Sequence, residues 1–139
     1  MSEKILVIDD ELDMLALLRM IIEDNTDYTV ETTNNPSEGL KMIIQDEYDL
    51  VVSDLKMPGM DAMELFDEVK EIRPDLPMII ITAYGSLETS EEAMNKGVAD
   101  FITKPFRKDN ILFTIRRVLE LAKVKKENLA LKERLGEKS

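Results

Sequence analysis

The chain of 139 residues has no cysteine. That excludes a disulfide framework and suits a cytoplasmic location, which is the expectation here. Long hydrophobic runs are missing too: none approaches the roughly 20 residues a helix needs to cross a bilayer. The opening MSEK leads directly into a strand-like run, without the basic region and apolar stretch of a secretory signal. Positive charge is scarce over most of the chain. Residues 1–103 carry 24 acidic and 7 basic side chains, which argues against nucleic-acid binding by this body because phosphate contacts need clustered Lys and Arg. The balance reverses in residues 104–139, with 11 basic and 5 acidic side chains, so an acidic body carries a basic tail. The tail reads as the solvated face of a helix more readily than as a surface for an acidic partner.

What is present is an alternation of strand and helix signals over residues 4–103. KILVID (4–9), YTVETT (28–33), DLVVSD (49–54), MIIIT (78–82) and ADFIT (99–103) are short apolar or β-branched runs. Between them, residues 12–24 place Leu15, Leu18 and Ile22 at helical spacing, with Met14, Leu17 and Ile21 alongside. Asn35 and Pro36 read as the N-cap and first position of a second helix. Further helices are expected at 62–72 and from Ser86 to Lys96, the latter stopped by Gly97. A last, long helix follows KPF. Strands alternating with helices predict right-handed crossovers and an α/β fold, a doubly wound five-stranded parallel sheet. The predicted strand order is 2-1-3-4-5, as in flavodoxin-like folds. The ligand site of such a sheet lies outside the carboxyl ends of its strands.

The last helix changes character along its length. Ile111, Ile115, Val118 and Leu119 are spaced to cover the sheet; Leu121, Val124, Asn128, Leu131 and Leu135 then follow at alternating intervals of 3 and 4. This is an a/d seam of about two heptads with Asn at an a position, a device that fixes register and favours parallel dimers. Residues 1–120 are therefore taken as one domain and 121–139 as a helical linker and dimer seam, its alternative being a solvated helical tail.

The strand ends hold the chemistry. Asp9 and Asp10 end the first strand, Asp54 the third and Thr82 the fourth, and Lys104 follows the fifth. In the order 2-1-3-4-5 the first and third strands are neighbours, so three carboxylates converge. Like charges that close cannot all ionise cheaply without a cation. A hard divalent ion, Mg²⁺ above all, meets that need, since it uses a few carboxylates and is completed by waters and phosphate oxygens. A carboxylate in such a place is also a nucleophile toward phosphorus. Lys104 and Thr82 are placed to neutralise and to hydrogen-bond a phosphoryl group.

The DD pair, Asp54 in VVSDLKMPGMD, Thr82 in IITAYGS and Lys104 in DFITKPF resemble, in order and spacing over about residues 3–122, the receiver domains of two-component response regulators. The phrases ITAYGSLET and FITKPF are further similar to receivers of sigma-54-dependent transcriptional activators, in which a helical linker leads to an AAA+ ATPase domain. The resemblance implies that Asp54 is phosphorylated by a sensor histidine kinase. It implies that Asp10 and Asp54 ligate Mg²⁺ directly, Asp9 through water, and Lys56 through its backbone carbonyl. It makes Thr82 and Lys104 contacts of the phosphoryl group and Phe101 the aromatic switch that follows Thr82. The expected output is a change of homodimer and linker geometry acting on a transcriptional output domain, with no turnover beyond self-catalysed phosphoryl uptake and loss. Ala62 stands where many receivers have Gly, which predicts a slightly altered turn after the third strand.

Two other readings compete. A phosphatase of the haloacid dehalogenase type also uses a strand-end Asp, but resembles D-x-D there, and the third position here is Lys56. An interaction domain with a merely decorative acidic patch is the other, since fold alone does not imply function.

Overall fold

A computed structural model describes residues 3–136, with the side chains of residue 130 and of residues 132–136 outside that description. Five strands, β1 (Lys4–Ile8), β2 (Thr29–Thr33), β3 (Leu50–Ser53), β4 (Met78–Thr82) and β5 (Asp100–Thr103), alternate with five helices. These are α1 (Leu12–Asn25), α2 (Pro36–Gln45), α3 (Ala62–Ile72), α4 (Leu87–Lys96) and α5 (Lys108–Gly136). All neighbouring strands pair in parallel, in the order β2-β1-β3-β4-β5. The predicted fold class and strand order are those observed.

Strand alternation divides the core in two. Successive side chains point to opposite faces of a sheet. Ile5 and Val7, with Leu50, Val52, Ile79, Ile81 and Ile102, therefore pack on α1 and α5. Leu6 and Ile8, with Val51, Met78 and Ile80, pack against Ile43 of α2, Leu65, Phe66 and Val69 of α3, and Ala93 of α4. Burial on both faces is why these strands read as continuous apolar runs.

Helix termini follow their caps. Asn35 accepts from the backbone N–H groups of Ser37 and Glu38 at 2.8 and 3.2 Å, and Pro36 takes the first position, as expected. Ser86, expected inside α4, is instead its N-cap, because its hydroxyl accepts from the Thr89 N–H while Thr89 Oγ1 accepts from the Ser86 N–H. Gly97 ends α4 at φ 111°, a left-handed conformation that glycine adopts without strain. Leu15, Leu18, Ile21 and Ile22 bury the inner face of α1, while Leu17 turns outward. Ala62 is the fully buried first residue of α3, and its N–H reaches the Leu55 carbonyl at 2.9 Å.

Ile111, Ile115, Val118 and Leu119 of α5 are buried against the sheet, as their spacing predicts. Beyond them the helix continues with Leu121 61 % exposed, Val124 41 % and Leu131 52 %. Asn128 is exposed with them, and the side chain of Leu135 lies outside the described residues. Among the described residues no helix is long and apolar enough to cross a membrane.

Candidate functional site

The site forms because parallel strands all end at one edge. β1 and β3 are adjacent, so the residues after them, Asp9 and Asp54, face each other over the sheet's carboxyl end. Backbone hydrogen bonds carry the ladder one step past the strands: the Asp9 N–H donates to the Thr33 carbonyl at 3.2 Å and the Asp54 N–H to the Ile8 carbonyl at 3.0 Å. Both residues are thereby set side by side in an acidic recess at the carboxyl edge of the sheet. Only 2 % of Asp9 and 5 % of Asp54 is exposed.

Each carboxylate spends one oxygen locally and leaves the other for the recess. Asp9 Oδ1 accepts the Glu11 N–H at 2.9 Å, and Asp54 Oδ1 accepts the Leu55 N–H at 2.7 Å. Lys104 bridges the two remaining oxygens, with Nζ 3.3 Å from Asp9 Oδ2 and 3.6 Å from Asp54 Oδ2. The ammonium reaches this position because the Lys104 N–H continues the β4–β5 ladder to the Thr82 carbonyl at 2.8 Å; the Lys104–Pro105 peptide is cis. Burial nevertheless raises the Asp9 pKa, outweighing the Glu11 N–H and the Lys104 charge that lower it; the neighbouring Asp54 charge raises it further.

A third carboxylate completes the group, and it is Glu11. Carboxylate oxygens of Asp9, Glu11 and Asp54 lie within 4.8 Å of one another. Glu11 stands at the N-cap of α1 but its side chain makes no capping bond, and its carboxylate lies with those of Asp9 and Asp54 instead; its backbone N–H donates to Asp9. Asp10, next to Asp9 along the chain, is exposed and stands outside this group. The sequence singles out Asp9, Asp10 and Asp54. The signal for Glu11 is only its place two residues after a strand-end Asp, which a helix cap produces as readily.

Thr82, fully buried at the end of β4, accepts the Tyr84 N–H on Oγ1 at 3.1 Å, which leaves its hydroxyl proton free to donate. Lys56 is exposed on the loop after Asp54, its Nζ 5.5 Å from the centre of the Tyr84 ring, so the two residues flank the same edge. Phe101 on β5 is half-buried against the α2–α3–α4 side of the core. The β4–α4 loop presses on it: a Cβ at Gly85 would lie 2.9 Å from Phe101 Cε1 and 2.8 Å from Thr103 Oγ1. A hard divalent cation fits this donor set. It is all oxygen and buried on one side, and burial raises the Asp9 pKa even with Lys104 beside it, so a further cation would relieve a carboxylate whose charge is disfavoured there.

Fold and site together define a doubly wound α/β signalling domain with a lysine-bridged acidic recess at the carboxyl edge of its sheet. The chain belongs to the response regulator receiver domain family, whose model matches residues 5–116. It is 39% identical over 116 residues to the transcriptional regulatory protein GlrR of Escherichia coli, covering 84% of this chain and 26% of that protein. It is 34% identical over 131 residues to the C4-dicarboxylate transport transcriptional regulatory protein DctD of Rhizobium meliloti, covering 94% and 28%. The chain thus spans little more than a quarter of the length of these curated relatives. Among solved structures it is similar to NtrX from Brucella abortus, with TM-score 0.89, 34% identity and coverage of 96% of this chain and 31% of that one. A CheY-like receiver domain protein from Methanospirillum hungatei superimposes with TM-score 0.84 at 30% identity, over 90% of this chain and 99% of its own.

Proposed function

We propose that this domain is a phosphorylation-controlled switch in which Asp54 accepts a phosphoryl group from a sensor histidine kinase in the cytoplasm. The observation that carries the reading is the pairing of Asp54 with Asp9 and Lys104 in one recess, with an Asp54 oxygen left without a backbone donor. In the transfer, an Asp54 carboxylate oxygen forms the bond to phosphorus as the P–N bond of the phosphohistidine breaks. The electron pair returns to the histidine nitrogen, and the product is an acyl phosphate.

Asp9, Asp10, Asp54 and the Lys56 backbone carbonyl are the proposed Mg²⁺ holders, and Glu11 is close enough to Asp9 and Asp54 to join them. Bound there, the ion supplies neutralisation of carboxylate and phosphoryl charge. Lys104 already sits at the recess and needs only to exchange a carboxylate oxygen for a phosphoryl oxygen. Thr82 turns its free hydroxyl proton to the same group, and the loop from Thr82 to Gly85 moves with it. Because that loop packs on Phe101, the ring follows. The equilibrium shifts only as far as the phosphoryl group binds one state better than the other.

The change passes to α5, which follows β5 and carries the exposed seam of Leu121, Val124, Asn128 and Leu131. In the whole protein the output is the association and linker geometry of a homodimer, acting on an AAA+ domain that activates transcription. Resemblance to sigma-54-dependent activators and the names of the transcriptional regulatory relatives support that part. Sedimentation velocity with Mg²⁺ and phosphoramidate tests the switch. The wild type is expected to change sedimentation coefficient and Asp54→Asn to stay put; a wild type that does not change would contradict the reading.

A further inference from the structure

Where α5 runs on past the sheet it flanks the amino edge of the strands, opposite the acidic recess. There Pro74 to Pro77 lead into β4 and Gly97 and Ala99 precede β5, and the corner they make with α5 is a groove of about 510 Å³. Its floor is apolar. Phe66 and Val118 are buried in it, Leu76 and Pro77 are half-buried, and Ala99 contributes only a methyl group. The rim is basic: Lys70, Arg117, Lys125 and Lys126 line the groove against one carboxylate, Asp75. Arg117 is spent on Asp100, but among the described residues the three lysines make no ion pair. Such a cluster stands out on a body whose residues 1–103 carry only 7 basic side chains.

We propose that this groove takes an acidic amphipathic helix of a partner protein, its apolar side chains on the floor and its carboxylates against Lys70, Lys125 and Lys126. The seam does not account for this face. At roughly 100° per residue, Val118, Ala122, Lys125 and Leu129 centre about 110° around α5 from Leu121, Val124, Asn128 and Leu131, and only Leu121 belongs to both stripes. A helix is the form of partner that fits, because the α5 wall from Val118 to Leu129 runs about 16 Å, three helical turns. No residue of a strand lines the groove, so an extended segment would find no sheet edge there to pair with. A nucleic acid would meet the acidic body around the lysines and leave the apolar floor uncovered. A lipid surface binds projecting groups, whereas this floor is recessed. The floor supplies affinity, and the lysines choose an acidic partner and speed its arrival.

Fluorescence anisotropy of the full chain tests this with a labelled Leu/Glu amphipathic peptide of about three turns and its Leu/Gln counterpart. The Leu/Glu peptide is expected to bind roughly tenfold more tightly, and less so as salt rises. Lys70→Glu and Lys125→Glu are each expected to weaken it about fivefold, and Ala99→Leu, which fills the floor without changing charge, about tenfold. Circular dichroism checks each variant; should Ala99→Leu lose its fold, the two lysine variants carry the test, since both side chains are exposed. Absence of binding overturns the proposal, as does equal affinity for the two peptides or for the lysine variants. Anionic phosphatidylglycerol vesicles that bind the wild type but not Lys125→Glu, with no peptide bound, would assign the groove to a lipid surface and overturn it too. So would self-association that Ala99→Leu weakens while no peptide binds, since the occupant would then be a second copy. Asp54→Asn is expected to bind the peptide like the wild type, so this measurement stands apart from the phosphorylation reading.

Discussion

Asp9 is held where its charge is unwelcome in the absence of a metal ion. Burial and Asp54 push its pKa up, and Lys104 with the Glu11 N–H only partly offsets them. Asp9→Asn keeps an oxygen for the Glu11 N–H and removes the buried charge. In EDTA this variant is expected to melt at a higher temperature than the wild type, and on adding Mg²⁺ the wild type is expected to gain more. Thermal denaturation with and without Mg²⁺ checks both. A lower melting temperature in EDTA would mean that the pair with Lys104 outweighs the burial cost. The same residues show how far a sequence discloses a site. Asp9, Asp54, Thr82 and Lys104 were legible because the strand-end rule needs only their place in a run. Glu11 was not, because a carboxylate at an N-cap position reads as a helix cap, and only the structure shows that it makes no capping bond and lies with Asp9 and Asp54.

At the scale of elements, caps and alternation decide what forms. The five strands were readable from their runs, and β1 splits its side chains between the two halves of the core by simple period. Helix faces were readable less sharply: Leu17 is apolar yet turns outward, because the buried stripe of α1 is already filled by Leu15, Leu18, Ile21 and Ile22. The Ser86 boundary slipped by one residue, since a serine before a helical run can begin it or cap it and only the reciprocal bond with Thr89 distinguishes the two. That bond anchors the loop between Thr82 and α4. Ser86→Ala is expected to cost about 1 kcal/mol of stability, measurable by urea denaturation. A cost near zero would show that the cap is dispensable.

The whole molecule combines an acidic body with a basic, partly uncovered helix. Net charge of -11 conceals the contrast, which matters because the acidic edge and the seam lie on elements joined through β5 and α5. The charge asymmetry was plain in the sequence; the exposure of Leu121, Val124 and Leu131 required the structure, which shows where the sheet stops covering the helix. The central claim is that the recess is built to phosphorylate Asp54. Its most direct test is the intact mass of the chain after incubation with Mg²⁺ and acetyl phosphate, beside Asp54→Asn. One phosphoryl adduct, dependent on Mg²⁺ and absent from the variant, is the predicted result. An adduct that persists in Asp54→Asn, or a wild type that stays unmodified even with an active histidine kinase present, would contradict the account.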